Sequence, residues 1–221
     1  NFPKDHGQPL SPKLGAASVQ YYGFNCDQAG DIEFIDRFVA NGLPLDYWWM
    51  DAGWYKHDGA GWPKVGTWEV DDQRFPGGIK AVSEHCHARG IDVIVWFEVE
   101  RVHPDTWITK NRPEWVHGGA GGGLLKMDEP AVVQWITDHV DKMISTEGID
   151  LYRSDFNIDP LPYWRAADAE DRQGITEIRY VQGYLAYWDA LQRRHPGMLI
   201  DSCASGGRRD DLETMRRAVP L

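Results

Sequence analysis

Short apolar segments alternate strictly with segments of helical periodicity along this 221-residue chain, and this alternation constrains the fold more than any other feature. Strands that alternate with helices form parallel sheets, because each helix returns the chain to the edge where the next strand starts. The predicted strands are residues 18–24, 45–50, 91–97, 149–154 and 198–202, and the predicted helices are residues 27–41, 77–89, 130–146, 175–194 and 209–217. The chain is therefore predicted to be an α/β protein of five β–α units.

Alternation by itself fits both an open, doubly wound sheet and a closed barrel. Open sheets that bind dinucleotides carry a G-x-G-x-x-G fingerprint after the first strand, and none follows residues 18–24. A complete eight-stranded α/β barrel typically needs about 250 residues. We predict a TIM (β/α)8-type barrel, C-terminally truncated after about five β–α units. Residues 1–17, which begin with a Pro-, Lys- and Gly-rich stretch, are predicted to be a linker, and residues 18–221 the partial barrel.

Acidic and polar side chains follow four of the five predicted strands. A single carboxylate at such a position is commonly a helix cap or a solvated loop residue. In a barrel, however, all carboxyl ends of the strands meet at one rim, where active sites are built. The residues concerned are Asp51, Glu98, Glu100, Asp155 and Asp201 to Cys203, with Trp48, Trp49, Trp54 and Trp96 beside them. Convergent carboxylates with aromatic platforms are what glycoside hydrolysis requires.

Four segments at these strand ends carry a resemblance to a known family. They are residues 46–54 (DYWWMDAGW), 96–102 (WFEVERV), 153–157 (RSDFN) and 203–208 (CASGGR). In their order, strand placement and spacing they resemble the motif series of the glycoside hydrolase 36 (melibiase) family, and the resemblance extends from about Tyr21 to Leu221. It implies an α-galactosidase-like hydrolase that acts on α-linked galactosides of oligo- or polysaccharides and retains the anomeric configuration.

The resemblance also implies a role for individual residues. Asp155 aligns with the family's catalytic nucleophile, which attacks the anomeric carbon and forms a glycosyl-enzyme. Asp51 aligns with an acid that binds the O4/O6 edge of galactose, and Arg153 stands in the place of a sugar-binding Lys. The other residues that the motifs imply as substrate contacts are Trp54, Trp96, Asn157, Cys203, Gly206, Gly207 and Arg208.

Three positions depart from the family pattern. Ala52 replaces the second acid of an Asp-Asp-Gly-Trp motif, Arg153-Ser154 replaces Lys-Trp, and Val99 replaces a Pro. The first two departures alter expected sugar contacts, so an α-N-acetylgalactosaminidase on the same fold is an alternative. A carbohydrate-binding degenerate hydrolase is a second alternative, but a pure binder needs no ionised carboxylate under the sugar ring, and Asp155 is retained.

The family's general acid/base is an Asp in a Trp-x-Ser-Asp motif after the sixth strand. In this sequence that motif is expected just beyond Leu221. The resemblance therefore implies that the chain is a catalytic-domain fragment. By itself it is expected to have little or no hydrolase activity, because general acid–base catalysis contributes about 10²–10⁴-fold.

Several polar residues are predicted to have structural roles. Glu98 and Glu100 are two residues apart and share a face if the strand continues, so we predict a structural salt bridge with Arg101 rather than catalysis. Asp27 is predicted to be the N-cap of the helix that follows it.

Composition limits the class of partner. The formal net charge is -11, which argues against nucleic acid and anionic membranes, because both favour Lys and Arg. The predicted partner is a carbohydrate, and homo-oligomerisation of the intact protein stays open, as does its compartment. No metal or organic cofactor is implied. His85 and His87 lie two residues apart and face different sides of a helix, so they do not form a metal-ligand pair. Separately, Cys26, Cys86 and Cys203 are too few for a disulfide framework.

Overall fold

A computed structural model describes residues 3–19, 23–57 and 64–220, and within them it contains a parallel sheet, a small antiparallel sheet and seven α-helices. The strands are β1 (Gly15–Ala17), β2 (Tyr47–Met50), β3 (Asp92–Phe97), β4 (Arg101–Val102), β5 (Val116–His117), β6 (Gly123–Leu125), β7 (Leu151–Ser154) and β8 (Leu199–Ser202). The helices are α1 (Gln28–Ala40), α2 (Gly78–His87), α3 (Trp107–Asn111), α4 (Pro130–Glu147), α5 (Leu161–Ala167), α6 (Ile175–Arg194) and α7 (Leu212–Met215).

The order of the strands distinguishes a barrel from an open sheet. The five parallel strands lie in the order β1-β2-β3-β7-β8, which is their order along the chain, and every neighbouring pair is parallel. A doubly wound sheet reverses direction at a switch point and places helices on both faces. Here each strand is added to the same growing edge, as in a TIM barrel. The predicted barrel-type α/β fold is confirmed over the open sheet.

The two faces of the parallel sheet differ in what they pack against. Trp48 and Met50 of β2, like Tyr152 of β7, belong to the large hydrophobic cluster that includes buried residues of α1, α2, α4 and α6. We call this the helical face. Alternate residues point to the opposite side, the inner face, where a second, smaller cluster forms. Its members are Tyr47, Ile94, Leu151 and Leu199, with the partly buried Trp49 beside them.

Local signals at the helix ends explain where the long helices begin and end. The Asp27 carboxylate accepts a hydrogen bond from the Gly30 amide at 2.7 Å, so the predicted N-cap of α1 is confirmed. Pro130 occupies the first turn of α4, where its missing N–H has no partner to lose. Gly148 ends α4 in the left-handed conformation, at φ 69°. The helix predicted over residues 175–194 is observed as Ile175–Arg194.

The first strand lies upstream of the predicted one. Residues 15–17 pair in parallel with Tyr47 to Trp49, whereas Ser18 lies in a turn and Gly23–Asn25 forms a 3-10 turn. The predicted strand at 18–24 is therefore wrong in its described part, and residues 20–22 lie outside the described residues. The prediction followed β propensity, but β1 forms because its backbone pairs with β2. Three residues of the predicted linker thus belong to the sheet.

Two further elements differ from the sequence prediction. The last helix covers only Leu212–Met215 rather than residues 209–217, because residues 205–207 adopt positive φ and the chain turns before Asp211 caps α7. The antiparallel strands β4, β5 and β6 were not predicted, and each has only two or three residues. Of the helices in the described ranges, none has the length and apolar character needed to cross a bilayer.

Candidate active site

The ends of β2, β7 and β8 bring the predicted acids and the cysteine together. Asp51 follows β2, Asp155 follows β7, and Cys203 follows β8, on strands that run in the same direction. Asp155 and Arg153 both act on the pKa of Asp51 and on the pKa of the Cys203 thiol, in agreement with the position of these residues at neighbouring strand ends. The rim predicted from the sequence is therefore a real cluster of ionisable side chains.

Asp155 accepts hydrogen bonds from four residues. Its Oδ2 atom accepts from the indole Nε1 of Trp96 at 3.0 Å and from Nδ2 of Asn157 at 2.8 Å. Its Oδ1 atom accepts from the backbone amide of Phe156 at 2.8 Å. The side chain of Cys203 is also a hydrogen-bond partner. Asp155 is only 8% exposed, and these donors contact both of its carboxylate oxygens.

These donors also determine the charge state of Asp155. Burial acts to raise its pKa, because a low-dielectric surrounding disfavours the charged form. The hydrogen bonds from Asn157, Trp96 and the Phe156 amide favour that form and outweigh burial, so the pKa of Asp155 lies below its ordinary value. Asp155 is thus ionised at neutral pH. The same carboxylate, together with burial, raises the pKa of the Cys203 thiol.

Asp51 and Arg153 form the second part of the site. The Asp51 carboxylate accepts from its neighbouring Ala52 amide at 2.6 Å, and burial raises its pKa while that amide and Arg153 oppose the rise. The Arg153 guanidinium forms an ion pair with Asp201 of β8 and lies 4.1 Å from the ring centre of Trp49. Arg153 therefore projects from the inner face with its charge balanced by a neighbouring strand.

The loop after β8 closes the site from one side. Ser205 donates to the Asn157 Oδ1 atom at 2.5 Å, and Gly206 has a φ of 88°, where a side chain would be strained. Gly207 has a φ of 93°. Arg208 is exposed, and its Nη2 atom donates to the Phe156 carbonyl at 2.7 Å. The predicted wall residue Arg208 thus holds the backbone beside Asp155.

Two predicted sugar platforms are not open surfaces. Trp54 is 0% exposed and Trp96 is 1% exposed, because both pack in the aromatic core with Tyr55 and Trp68. Trp54 donates its indole N–H to the Trp96 carbonyl at 2.9 Å. The expectation that either ring stacks directly on a sugar is corrected on this ground. Trp96 acts on the site through its bond to Asp155, and Trp54 supports Trp96.

The side chains at the positions that depart from the family pattern lie in different surroundings. Ala52 and Val99 are buried in the large hydrophobic cluster. Ser154 is buried too and alternates with Arg153 along β7, so it points to the helical face, where it is a hydrogen-bond partner of Tyr152. Of these substituted positions, Arg153 is the one whose side chain lies on the inner face.

The two glutamates after β3 form separate buried ion pairs. Glu98 bonds Nη2 of Arg101 at 2.5 Å, which confirms the predicted salt bridge, and its other oxygen accepts from the Asn157 amide at 2.6 Å. Glu100 instead forms a two-pronged pair with Arg209. Arg209 was missed by sequence reasoning, because nothing in a sequence indicates which acid pairs with an arginine more than a hundred residues away.

The part of the chain that the structure describes contains no set of side chains arranged to bind a metal ion. Among residues 3–19, 23–57 and 64–220 there is no group of three or more His, Cys, Asp or Glu side chains placed to hold an ion. His85 bonds Asp36 at 2.8 Å, and His87 bonds Asp150 at 2.7 Å, so the two histidines face different partners. Cys26, Cys86 and Cys203 are free.

Comparisons with known proteins give consistent results. A family model described as Melibiase matches residues 14–219. An α-galactosidase of Lactobacillus acidophilus is 26% identical over 200 residues, which cover 87% of this chain and 27% of that protein. The crystal structure of an α-galactosidase from Lactobacillus brevis is similar with a TM-score of 0.83 at 25% identity, over 95% of this chain and 29% of that one.

A structure of an α-galactosidase from Geobacillus stearothermophilus in complex with stachyose shares the fold, with a TM-score of 0.80 at 21% identity, over 94% of this chain and 30% of that one. The chain thus spans between a quarter and a third of the length of these relatives.

Proposed function

The chain belongs to the melibiase family, and from this premise we propose that it supplies the nucleophile-bearing part of a retaining, α-galactosidase-like glycoside hydrolase. The observation that carries the proposal is the environment of Asp155. A buried carboxylate at the carboxyl end of a barrel strand is held ionised by three hydrogen-bond donors. A nucleophile must be ionised to attack the anomeric carbon, and the surroundings of Asp155 meet that requirement.

In the proposed mechanism Asp155 attacks the anomeric carbon of an α-galactoside. The new bond joins the carboxylate oxygen to that carbon, and the bond to the leaving oxygen breaks. Water then displaces the carboxylate, so two inversions give net retention. Trp96 and Asn157 both donate to Oδ2 of Asp155, whereas the Phe156 amide donates to Oδ1.

A retaining enzyme also needs a second carboxyl group about 5–5.5 Å from the nucleophile. In the described residues, Asp201 is paired with Arg153, and Glu98 is paired with Arg101. Neither is free to protonate a leaving group. We propose that the general acid/base lies outside this chain, in keeping with the fraction of its relatives that the chain spans.

Asp51 and Arg153 are the proposed contacts of the sugar hydroxyls. Both belong to the rim near Asp155, and each is only partly buried. The guanidinium of Arg153 is planar and tied to Asp201, so it differs in shape from the compact ammonium of a Lys. Because of this difference in shape at the sugar-binding position, an α-N-acetylgalactosaminide is the second candidate substrate.

The test is hydrolysis of 4-nitrophenyl α-galactoside, α-N-acetylgalactosaminide and α-glucoside by the intact protein that contains this chain. Turnover of the galactoside is expected, and Asp155→Asn is expected to lower kcat on the order of 10⁴–10⁶-fold, as for other nucleophile removals. Asp72→Asn is the matched control, because Asp72 is an exposed acid paired with Lys56. The control is expected to keep full activity.

Chemical rescue separates a nucleophile from other roles. In Asp155→Gly, added azide is expected to displace the aryl oxide at the anomeric carbon and release the β-glycosyl azide. A folded intact protein that binds galactose but hydrolyses none of the three glycosides would instead support the degenerate binder. Preferred turnover of the N-acetylgalactosaminide would assign the alternative substrate to the same site.

A further inference from the structure

A buried ion pair contacts the residue that follows the candidate nucleophile. Arg209 is 9% exposed, and its Nη1 and Nη2 atoms bond the two oxygens of Glu100 at 2.5 and 2.6 Å. Tyr180 of α6 donates its hydroxyl to Glu100 at 2.8 Å. The pair therefore joins the end of β3, the loop after β8 and helix α6. None of the roles assigned above uses it.

The Arg209 guanidinium is also stacked between two aromatic rings. Its central carbon lies 4.0 Å from the ring centre of Phe156 and 4.2 Å from that of Tyr184. Cation–π contacts of this kind hold a ring at a defined place when they are desolvated. Phe156 is thus fixed on one side by a cation that is itself fixed by two hydrogen bonds.

Phe156 connects this arrangement to Asp155. The Phe156 amide donates to Asp155 Oδ1, and the Phe156 carbonyl accepts from Arg208. Both ends of this peptide segment are therefore held by arginines, one through the ring and one through the carbonyl. If the Phe156 side chain loses its contact with Arg209, the backbone of Phe156 is held less firmly, and its amide is aimed less well at the Asp155 carboxylate.

We propose that Arg209, held by Glu100 and Tyr180, is a positioning residue that fixes the Asp155 carboxylate through Phe156. The inference rests on the proposed role of Asp155 as nucleophile. A buried ion pair is weak evidence for a stabilising role, because the cost of removing two charges from water offsets much of their attraction. The defined geometry of the Glu100–Arg209 pair is instead suited to holding the loop that carries Asp155 in one position.

The test compares Arg209→Lys with Arg217→Lys in the intact protein. Lysine keeps the charge beside Glu100, so no carboxylate is left unbalanced, but it loses the flat, forked shape that stacks on Phe156. Arg217 makes a comparable two-pronged contact with Asp189 of α6, through Nε and Nη2 at 2.6 and 3.0 Å, and also pairs with Glu213, and no described contact links it to Asp155. The Arg217 variant is therefore the matched control for losing one such pair.

The readout is the pH dependence of kcat/KM with 2,4-dinitrophenyl α-galactoside, whose leaving group needs little acid assistance. The acidic limb then reports the ionisation of Asp155 in the free enzyme. Other charged or titratable groups around Asp155 are Asp51, Glu98, Arg153 and Cys203, and both variants leave them unchanged. Arg209→Lys is expected to move the limb upward by about one pH unit, a tenfold change in the acid dissociation constant.

A second readout does not depend on turnover. The carboxyl carbon of Asp155, assigned by its loss in Asp155→Asn, can be titrated by ¹³C NMR in each variant. If the unchanged protein hydrolyses no galactoside, the proposed function fails, while an upward shift in Arg209→Lys alone still supports the positioning role. An acidic limb and a carboxyl titration that stay unchanged in Arg209→Lys, or that move equally in Arg217→Lys, overturn it.

Discussion

Two regions of the molecule each contain a buried aspartate, and the two aspartates differ in the hydrogen bonds that they accept. At the rim, Asp155 is 8% exposed and accepts hydrogen bonds from Trp96, Asn157 and the Phe156 amide. Between α1 and the helical face of the sheet, Asp31 is 0% exposed. None of the described residues donates a hydrogen bond of normal geometry to either of its oxygens.

The pKa values follow the donors rather than the burial. Burial raises the pKa of Asp31 to about 7, although the nearby Ser18 hydroxyl and Trp48 indole act to lower it. The same effect of burial acts on Asp155, but donors reverse it. Burial by itself therefore does not decide whether an acid is charged. The number and direction of its hydrogen-bond donors decide that, and Asp155 accepts bonds of normal geometry where Asp31 does not.

Among the changes that test this contrast, Asp31→Asn is expected to have the largest effect, on the pH dependence of stability. Because the pKa of Asp31 is about 7 in the folded state and near 3.8 when unfolded, the folded state binds the extra proton between these values. The stability of the protein therefore falls as pH rises through this window and levels off above about pH 7. The slope from this one group is about 1.4 kcal/mol per pH unit.

Asp31→Asn removes that slope. As pH rises from 5 to 8, the free energy of unfolding of the variant is therefore expected to increase by about 2–3 kcal/mol relative to that of the unchanged protein. Urea unfolding of the intact protein at the two pH values measures it. An equal pH dependence in both proteins would show that Asp31 is ionised in the folded state, and the contrast between the two regions would be lost.

Removal of a single donor at the rim is expected to have the next largest effect. Trp96→Phe keeps the aromatic packing but deletes the N–H that bonds Asp155. A hydrogen bond to a charged group contributes about 1.5–3 kcal/mol, so the pKa of Asp155 is expected to rise, and kcat/KM at acidic pH to fall about tenfold or more.

Trp68→Phe is the control, because Trp68 packs on Trp96 and its own buried indole N–H bonds none of the described residues. The pH profile of kcat/KM, recorded for both variants, distinguishes a lost donor from a disturbed aromatic cluster. If the two profiles shift together, packing rather than the hydrogen bond controls Asp155.

Asp27→Asn is expected to have the smallest effect. Asn caps a helix about as well as Asp, so α1 is expected to keep its N-terminus. The change removes a negative charge that raises the pKa of Asp31. The pH window in which stability falls is therefore expected to narrow from its upper end by less than about one unit. Unfolding free energies collected across pH 5–8 measure this, and a wider window would contradict it.

Much of the fold and part of the site could be predicted from the sequence, because both depend on local pattern. Apolar runs between helical segments indicated β2, β3, β7 and β8, and Asp27 signalled the start of α1. The strand β1 could not be predicted, since its residues have little β propensity and its pairing with β2 is a tertiary contact. The pairing of Glu100 with Arg209 could not be predicted for the same reason.

The sequence by itself determined that acids follow the strands and that Asp155 is among them. Backbone direction places every such residue at one rim, so chemistry and approximate location follow from order along the chain. Only the tertiary structure decided which aspartate is ionised, which tryptophan reaches it, and which arginine supports its neighbour. These outcomes depend on distances of a few ångströms between residues that are far apart in the chain, because hydrogen bonds and desolvation act only at contact.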